Sequence, residues 1–456
     1  MATHIKSNNL SWNAIFHAIS LYISLVSCVC EARVYTGKEL GFVRTKGSNF
    51  VINGLPFLFN GFNAYWMMNV ATEPSERHKV SQVLQDAANA GLSVCRTWAF
   101  ADGCDDKALQ ISPGVYNERV FQGLDFVVAE ARKYDIRLIL SFVNNYKDFG
   151  GRLQYVEWAR NSGVKNISSD DDFYTNSIVK GYYKNHVQRV ITRINTITNI
   201  AYRHDLTIMA WELINEPRCQ VDYSGRTVND WVKEMASFVK SLDRHHLLEI
   251  GMEGFYGDTM PKRKQINPGY QVGTDFIRSN LVTEIDFATI HAYPDQWLSR
   301  KDEDSQMSFL RRWMSSHFKD SRTILKKPLV IAEFGKSSKD PDFNIKSRDS
   351  YMKAVYRKIY MEARNGGTVG GGLVWQLLAD DMDSYDDGYE IILSKNLTTY
   401  DIMSQQSLDM TTLSHLLKTG PCDIEFDQIR SRSMVTCHHH GHRRRRRCHP
   451  HISCTL

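Results

Sequence analysis

The chain has 456 residues, 42% of them hydrophobic and 11% aromatic, and a formal net charge of +5. This length and composition exclude an intrinsically disordered protein and allow one large globular domain or two ordinary ones. The positive balance does not point to nucleic acid, because Arg443 to Arg447 is a run of five arginines near the end and the remainder is close to neutral. In chain order, residues 1–30 read as a secretory signal: His4 and Lys6 precede the apolar stretch AIFHAISLYISLVSCVC, with small residues around Ala32. That run is too short, and too interrupted by His17 and serines, to span a bilayer comfortably, so no membrane attachment is expected after cleavage. Asn166-Ile167-Ser168 and Asn396-Leu397-Thr398 are glycosylation acceptors in a secreted chain. Seven of the nine cysteines would remain after processing, an odd number in a compartment that permits disulfides.

Segment 42–55, FVRTKGSNFVINGL, reads as a hairpin ahead of the main domain. Eight short apolar, β-rich runs follow, at 57–65, 92–98, 136–142, 206–213, 246–251, 285–293, 328–335 and 371–377. Helical periodicity lies between several of them, as in SERHKVSQVLQDAANAG (75–91) and VFQGLDFVVAEARKYD (120–135). Strands that alternate with helices imply a parallel sheet, and eight such units predict an α/β (β/α)8 TIM barrel over residues 31–420, its bottom plugged by the hairpin. A doubly wound open sheet is disfavoured, because no glycine-rich phosphate loop follows the first run. The loop at 144–172 is long, and long loops at a barrel top usually carry function. Residues 421–456 include CHHHGHRRRRRCHPHISC, which cannot build a core, so a disordered tail is expected. Its arginines could bind acidic cell-wall polysaccharide in a salt-dependent way; metal binding by His438 to His440 is the weaker reading.

The run IMAWELINEPRC (208–219) places two glutamates, Glu212 and Glu216, in what otherwise looks like a buried strand. By strand parity Ile208, Ala210, Glu212, Ile214 and Glu216 would share a face, with Glu216 nearest the carboxyl end and Glu212 deeper, paired with an arginine such as Arg96. Barrel enzymes carry their chemistry at strand carboxyl ends. Those ends hold Arg96 and Trp98, Asn215 and Glu216, His291 and Tyr293, Glu333, and Trp375. Each alone is weak evidence, since a lone histidine or tryptophan is more often structural. Together they suit glycoside hydrolysis, in which one carboxyl protonates the leaving oxygen and the other stabilises or attacks the anomeric carbon. Trp66, Trp98, Tyr155, Trp158 and Trp297 are candidates for sugar-stacking positions, with burial in the core an equal alternative. No His/Cys cluster converges on the site, so neither metal nor cofactor is expected.

NEP after the fourth run and AEFG at the seventh, with GFNAYWMM, CRTWAF, HAYPDQW and GGLVWQLL, resemble glycoside hydrolase family five over residues 33–420, and within it the plant endo-β-1,4-mannanase branch. The resemblance implies that Glu216 is the acid/base and Glu333 the nucleophile, and the family's other active-site positions match at Arg96, Asn215, His291, Tyr293 and Trp375. It implies a retaining enzyme, with a mannan-type polysaccharide as substrate and transglycosylation as a further outcome of the covalent intermediate. A secreted monomer is expected. The rival readings are an endo-β-1,4-glucanase on the same scaffold and a carbohydrate-binding protein with an impaired site. The intact Glu216 and Glu333 argue against the second.

Overall fold

In the computed structural model, residues 41–103, 105–299 and 301–435 are described, with side chains as far as Lys418. The expected signal segment and the arginine run lie outside the described residues. The eight apolar runs form strands, numbered here within the barrel: β1 (Phe59–Asn63), β2 (Val94–Trp98), β3 (Arg137–Ser141), β4 (Ile208–Glu212), β5 (Leu247–Glu249), β6 (Ala288–Ala292), β7 (Leu329–Phe334) and β8 (Val369–Val374). Every residue in them is buried, which explains why they read as continuous apolar runs and not as alternating ones. They pair in parallel in the order β5-β4-β3-β2-β1-β8-β7-β6, the cyclic order of a near-closed barrel. Helices such as Arg77–Asn89, Glu118–Lys133, Arg226–Leu242 and Ile345–Arg364 connect the strands.

The amino-terminal hairpin pairs Val43–Lys46 with Asn49–Ile52. Its Val43, Phe50 and Ile52 join the inner cluster formed by residues at the entering ends of the strands, including Phe59, Val94, Met209 and Phe287. The Phe50 ring lies 5.2 Å from that of Phe287 and 5.9 Å from that of Phe59. Gly370 makes room for it, because a Cβ there would sit 2.3 Å from the Phe50 ring. The hairpin therefore closes the end of the barrel opposite the site, as the sequence led us to expect. Cys95 and Cys219 are buried free thiols. The last helix, Leu397–Val435, carries regular backbone across residue 420, where the composition had suggested the domain ends.

Candidate active site

Arg96, on β2, is 1% exposed and donates five hydrogen bonds. Its Nε and Nη2 hold the two Glu212 oxygens at 2.5 and 2.7 Å. Nη2 also reaches Asn215 Oδ1 at 2.6 Å, and Nη1 reaches Asn63 Oδ1 at 3.1 Å and Glu333 Oε1 at 2.6 Å. Such a buried charge is tolerable because every N–H is satisfied and the Glu212 carboxylate pairs with it bidentately, with Glu333 as a further acceptor. Glu212 is thus the deep partner of Arg96. Burial alone would raise its carboxyl, but the Arg96 charge and hydrogen bonds bring it down to about 2.

Beside Glu212, at the paired position on β5, lies Glu249, a residue that strand-end reasoning missed. Burial and then the Glu212 charge raise it well above the carboxylate range, so it is neutral. Its Oε2 accepts from the Gly251 N–H and from the Thr289 hydroxyl, which leaves Oε1 to carry the proton toward the Glu212 carboxylate. Glu212→Gln is expected to cost roughly 1 to 3 kcal/mol, because a buried guanidinium loses its bidentate partner. Glu249→Gln keeps a neutral donor and should cost under about 1 kcal/mol; urea denaturation at neutral pH compares the two. Glu212, whose folded pKa is depressed, contributes its stability above its unfolded value of about 4.3 and loses it as pH falls toward 2.

Two local departures from regular strand geometry aim the upper carboxylates. In the β6–β7 ladder Ile290 faces Ile331 but His291 faces Glu333, a bulge that passes over Ala332. Ala332 lies in the inner cluster, and Glu333, next in sequence, nevertheless reaches the cleft. Past β4 the alternation stops at Glu212. Ile214 packs in the outer core, contrary to parity, and Asn215 and Glu216 both line the cleft. Glu216 has φ of +51°, the left-handed region that non-glycine residues seldom adopt, held by a bond from its N–H to the Gly251 carbonyl at 2.8 Å.

Glu333 accepts from Arg96 and, at Oε2, from the Tyr293 hydroxyl at 2.8 Å. His291 Nδ1 lies 2.6 Å from Glu216 Oε1 and 3.4 Å from Glu333 Oε2. Burial first, opposed by cationic neighbours, raises both carboxyls, and Glu216 adds to the rise at Glu333. The pair therefore retains a proton that two exposed carboxylates would lose. Arg96 and Tyr293 both donate to Glu333 and favour its charged form. His291 is kept neutral by burial. Glu216, His291 and Glu333 offer atoms within 4.8 Å of one another, a spacing that a divalent cation could bridge. Arg96 and Tyr293, however, already occupy both Glu333 oxygens.

Glu216, Tyr293 and Glu333 line a cleft of ≈570 Å³, while Arg96 and His291, expected to bind substrate, are buried behind them and do not line it. Trp375, half-buried, stacks parallel to Tyr65 at 5.5 Å and donates to Asp387 Oδ2 at 2.6 Å. Trp98 lies 4.7 Å from Tyr65, and Trp297 also lines the cleft, its ring 6.3 Å from that of Tyr293. Trp66 does not line the cleft: it is fully buried, its Nε1 bonded to the Leu377 carbonyl at 3.0 Å, and it belongs to the core. Its predecessor Tyr65 takes the place facing the cleft. Tyr155 and Trp158 are core residues too. Sequence reasoning also missed Asn144 and Tyr146 of the long loop, and the buried Glu253, which holds Arg218 bidentately at 2.7 and 3.0 Å. Arg218, the arginine of NEPRC, was the available signal.

A barrel whose acid/base-competent carboxyl pair lies under aromatic walls is the architecture of a glycoside hydrolase. The chain belongs to glycoside hydrolase family 5: the family model for GH family 5 beta-mannosidase-like proteins matches residues 40–379. It is 64% identical over 402 residues to Mannan endo-1,4-beta-mannosidase 5 of Solanum lycopersicum, covering 87% of this chain and 97% of that protein. To Mannan endo-1,4-beta-mannosidase 1 of Oryza sativa subsp. japonica it is 57% identical over 376 residues, 82% of this chain and 87% of that one. The solved structure of the hyperthermostable endo-1,4-beta-D-mannanase from Thermotoga petrophila RKU-1 superposes with a TM-score of 0.67 at 32% identity, covering 77% of this chain and 100% of that chain.

Proposed function

We propose that the chain is a secreted, retaining endo-β-1,4-mannanase that cleaves internal bonds of mannan, glucomannan or galactomannan by double displacement. The close approach of Glu216 and Glu333, which offer atoms within 4.8 Å of each other, supports double displacement most directly, since retaining enzymes hold their two carboxyls close. Glu333 attacks the anomeric carbon while Glu216 protonates the departing oxygen. Glu216 then takes a proton from the water that hydrolyses the glycosyl-enzyme. Arg96 and Tyr293 hold Glu333 ionised and aimed. Asn215 gives one N–H to Asn144 Oδ1 at 3.0 Å and has a second for the sugar 2-hydroxyl. A sugar hydroxyl that replaces water in the second step gives transglycosylation.

The substrate assignment draws on the names of the relatives and on the aromatic walls around Tyr65, Trp98 and Trp375. Reducing-sugar release from mannan, glucomannan and carboxymethylcellulose, side by side, tests it. Much faster release from the mannans is expected, and equal or faster cleavage of carboxymethylcellulose would make the chain a glucanase. Extracellular location is supported by the amino-terminal signal pattern. In such a compartment a glycan would attach at Asn166, which is exposed, before Asn396, whose side chain donates to the Ile392 carbonyl at 2.9 Å.

A further inference from the structure

Away from the cleft, the outer helices Glu303–Asp320 and Ile345–Arg364 flank a groove of ≈560 Å³. Arg311 and Lys319 line it from the first helix, Arg322 from the helical turn Ser321–Leu325 that directly follows it, and Lys353, Arg357 and Lys358 from the second helix. Phe318, Ala354 and Met361 supply an apolar lining. Among the described residues Glu362 is the one acidic residue of the groove, and Arg322 takes it at 2.7 Å. Arg311, Lys319, Lys353 and Arg357 form no ion pair with any described residue. The basic surface continues along the first helix to Arg312. Burial, opposed by the Glu362 charge, lowers the Lys358 ammonium, and the nearby Arg311 adds a smaller lowering; its Nζ donates to Ser315 Oγ at 2.7 Å.

Like charges gathered in a concavity repel one another, and an anionic partner would relieve that repulsion. The lining narrows the choice of polyanion. Guanidinium forks suit carboxylates, and an apolar floor suits the flat face of a sugar ring. A nucleic-acid strand would want several exposed aromatic faces for its bases, whereas the one aromatic ring here, Phe318, is 4% exposed. We infer that this groove binds a linear polysaccharide bearing carboxylates, and that it anchors the protein to an acidic matrix while the cleft works on neutral chains. The anchoring role rests on the mannanase reading; the binding itself does not.

The groove shares no residue with the cleft, so the two can be tested separately. The full-length protein is co-sedimented with insoluble polygalacturonate, and in parallel with its methyl ester, at about 0.01 M and about 1 M salt, where charges are screened beyond roughly 30 and 3 Å. Retention on the acid form at low salt, release at high salt and little binding to the ester are expected. Lys353→Glu/Arg357→Glu should weaken retention by roughly tenfold or more while hydrolysis of soluble mannan is unchanged. Lys353→Gln/Arg357→Gln, which adds no new charge, should lie between, and unchanged circular-dichroism melting shows that both variants fold. Undiminished retention in both variants would overturn the proposal and move the binding to the arginine run. Tighter binding to single-stranded DNA than to polygalacturonate would overturn the choice of partner.

Discussion

Glu333→Gln is expected to abolish turnover on every substrate, including aryl mannosides with good leaving groups, because without the carboxylate no glycosyl-enzyme can form. A loss of about four orders of magnitude or more is anticipated, as when a nucleophile is removed from a cooperating set. Stability should move the other way. Burial penalises the Glu333 charge, as its raised carboxyl records, and without that charge Arg96 and Glu212 still balance one another. The amide oxygen can go on accepting from Arg96, so the variant should melt no lower than the parent and slightly higher at neutral pH. Initial rates on an aryl mannoside, together with a thermal melt, check both halves. Azide rescue of this variant with a β-azide product would exchange the roles of Glu216 and Glu333, whereas an α-azide, formed by attack from the face the carboxylate vacates, keeps them.

The parts of this architecture that were legible in the sequence were those with a local cause. Strands buried on both faces announced themselves as apolar runs, and the polar residues that closed them marked the rim. Glu212 was legible as a buried carboxylate in need of a cation, and Arg96 is that cation. Contacts set by registry between strands were hidden. Glu249 sits in the fifth run with nothing local to link it to Glu212, and only the β4–β5 pairing places them side by side. Parity would have turned Glu333 away from the axis, since Val330 and Ala332 face inward, and the bulge opposite Ile290 and His291 reverses this. Tyr65 and Trp66 differ by a single position at a strand-to-helix corner, too fine a distinction for a pattern that found both aromatic. The Arg218–Glu253 pair joins loops after two different strands, so only the folded barrel brings them together.

Glu216→Ala should be more forgiving than Glu333→Gln, and its pH profile should identify the proton. On mannan a loss of roughly 10²- to 10⁴-fold is expected, the usual contribution of a general acid. An activated aryl mannoside needs little protonation, so the glycosyl-enzyme still forms, and azide should speed its breakdown to a β-mannosyl azide with net retention. In the parent, kcat/KM should be bell-shaped: it rises as the pair loses its first proton, from Glu333, and falls as the second leaves Glu216. Burial raises both carboxyls, which places the bell above the range of exposed carboxylates. In Glu216→Ala, assayed on the activated substrate, the acid limb should remain and the alkaline limb should vanish, because the group whose deprotonation caused it is gone. Persistence of that limb would assign the acid to another carboxyl of the cleft. Glu253 is the neighbour placed to produce it, since burial, the largest cause of its raised carboxyl, remains when the Glu216 charge is gone.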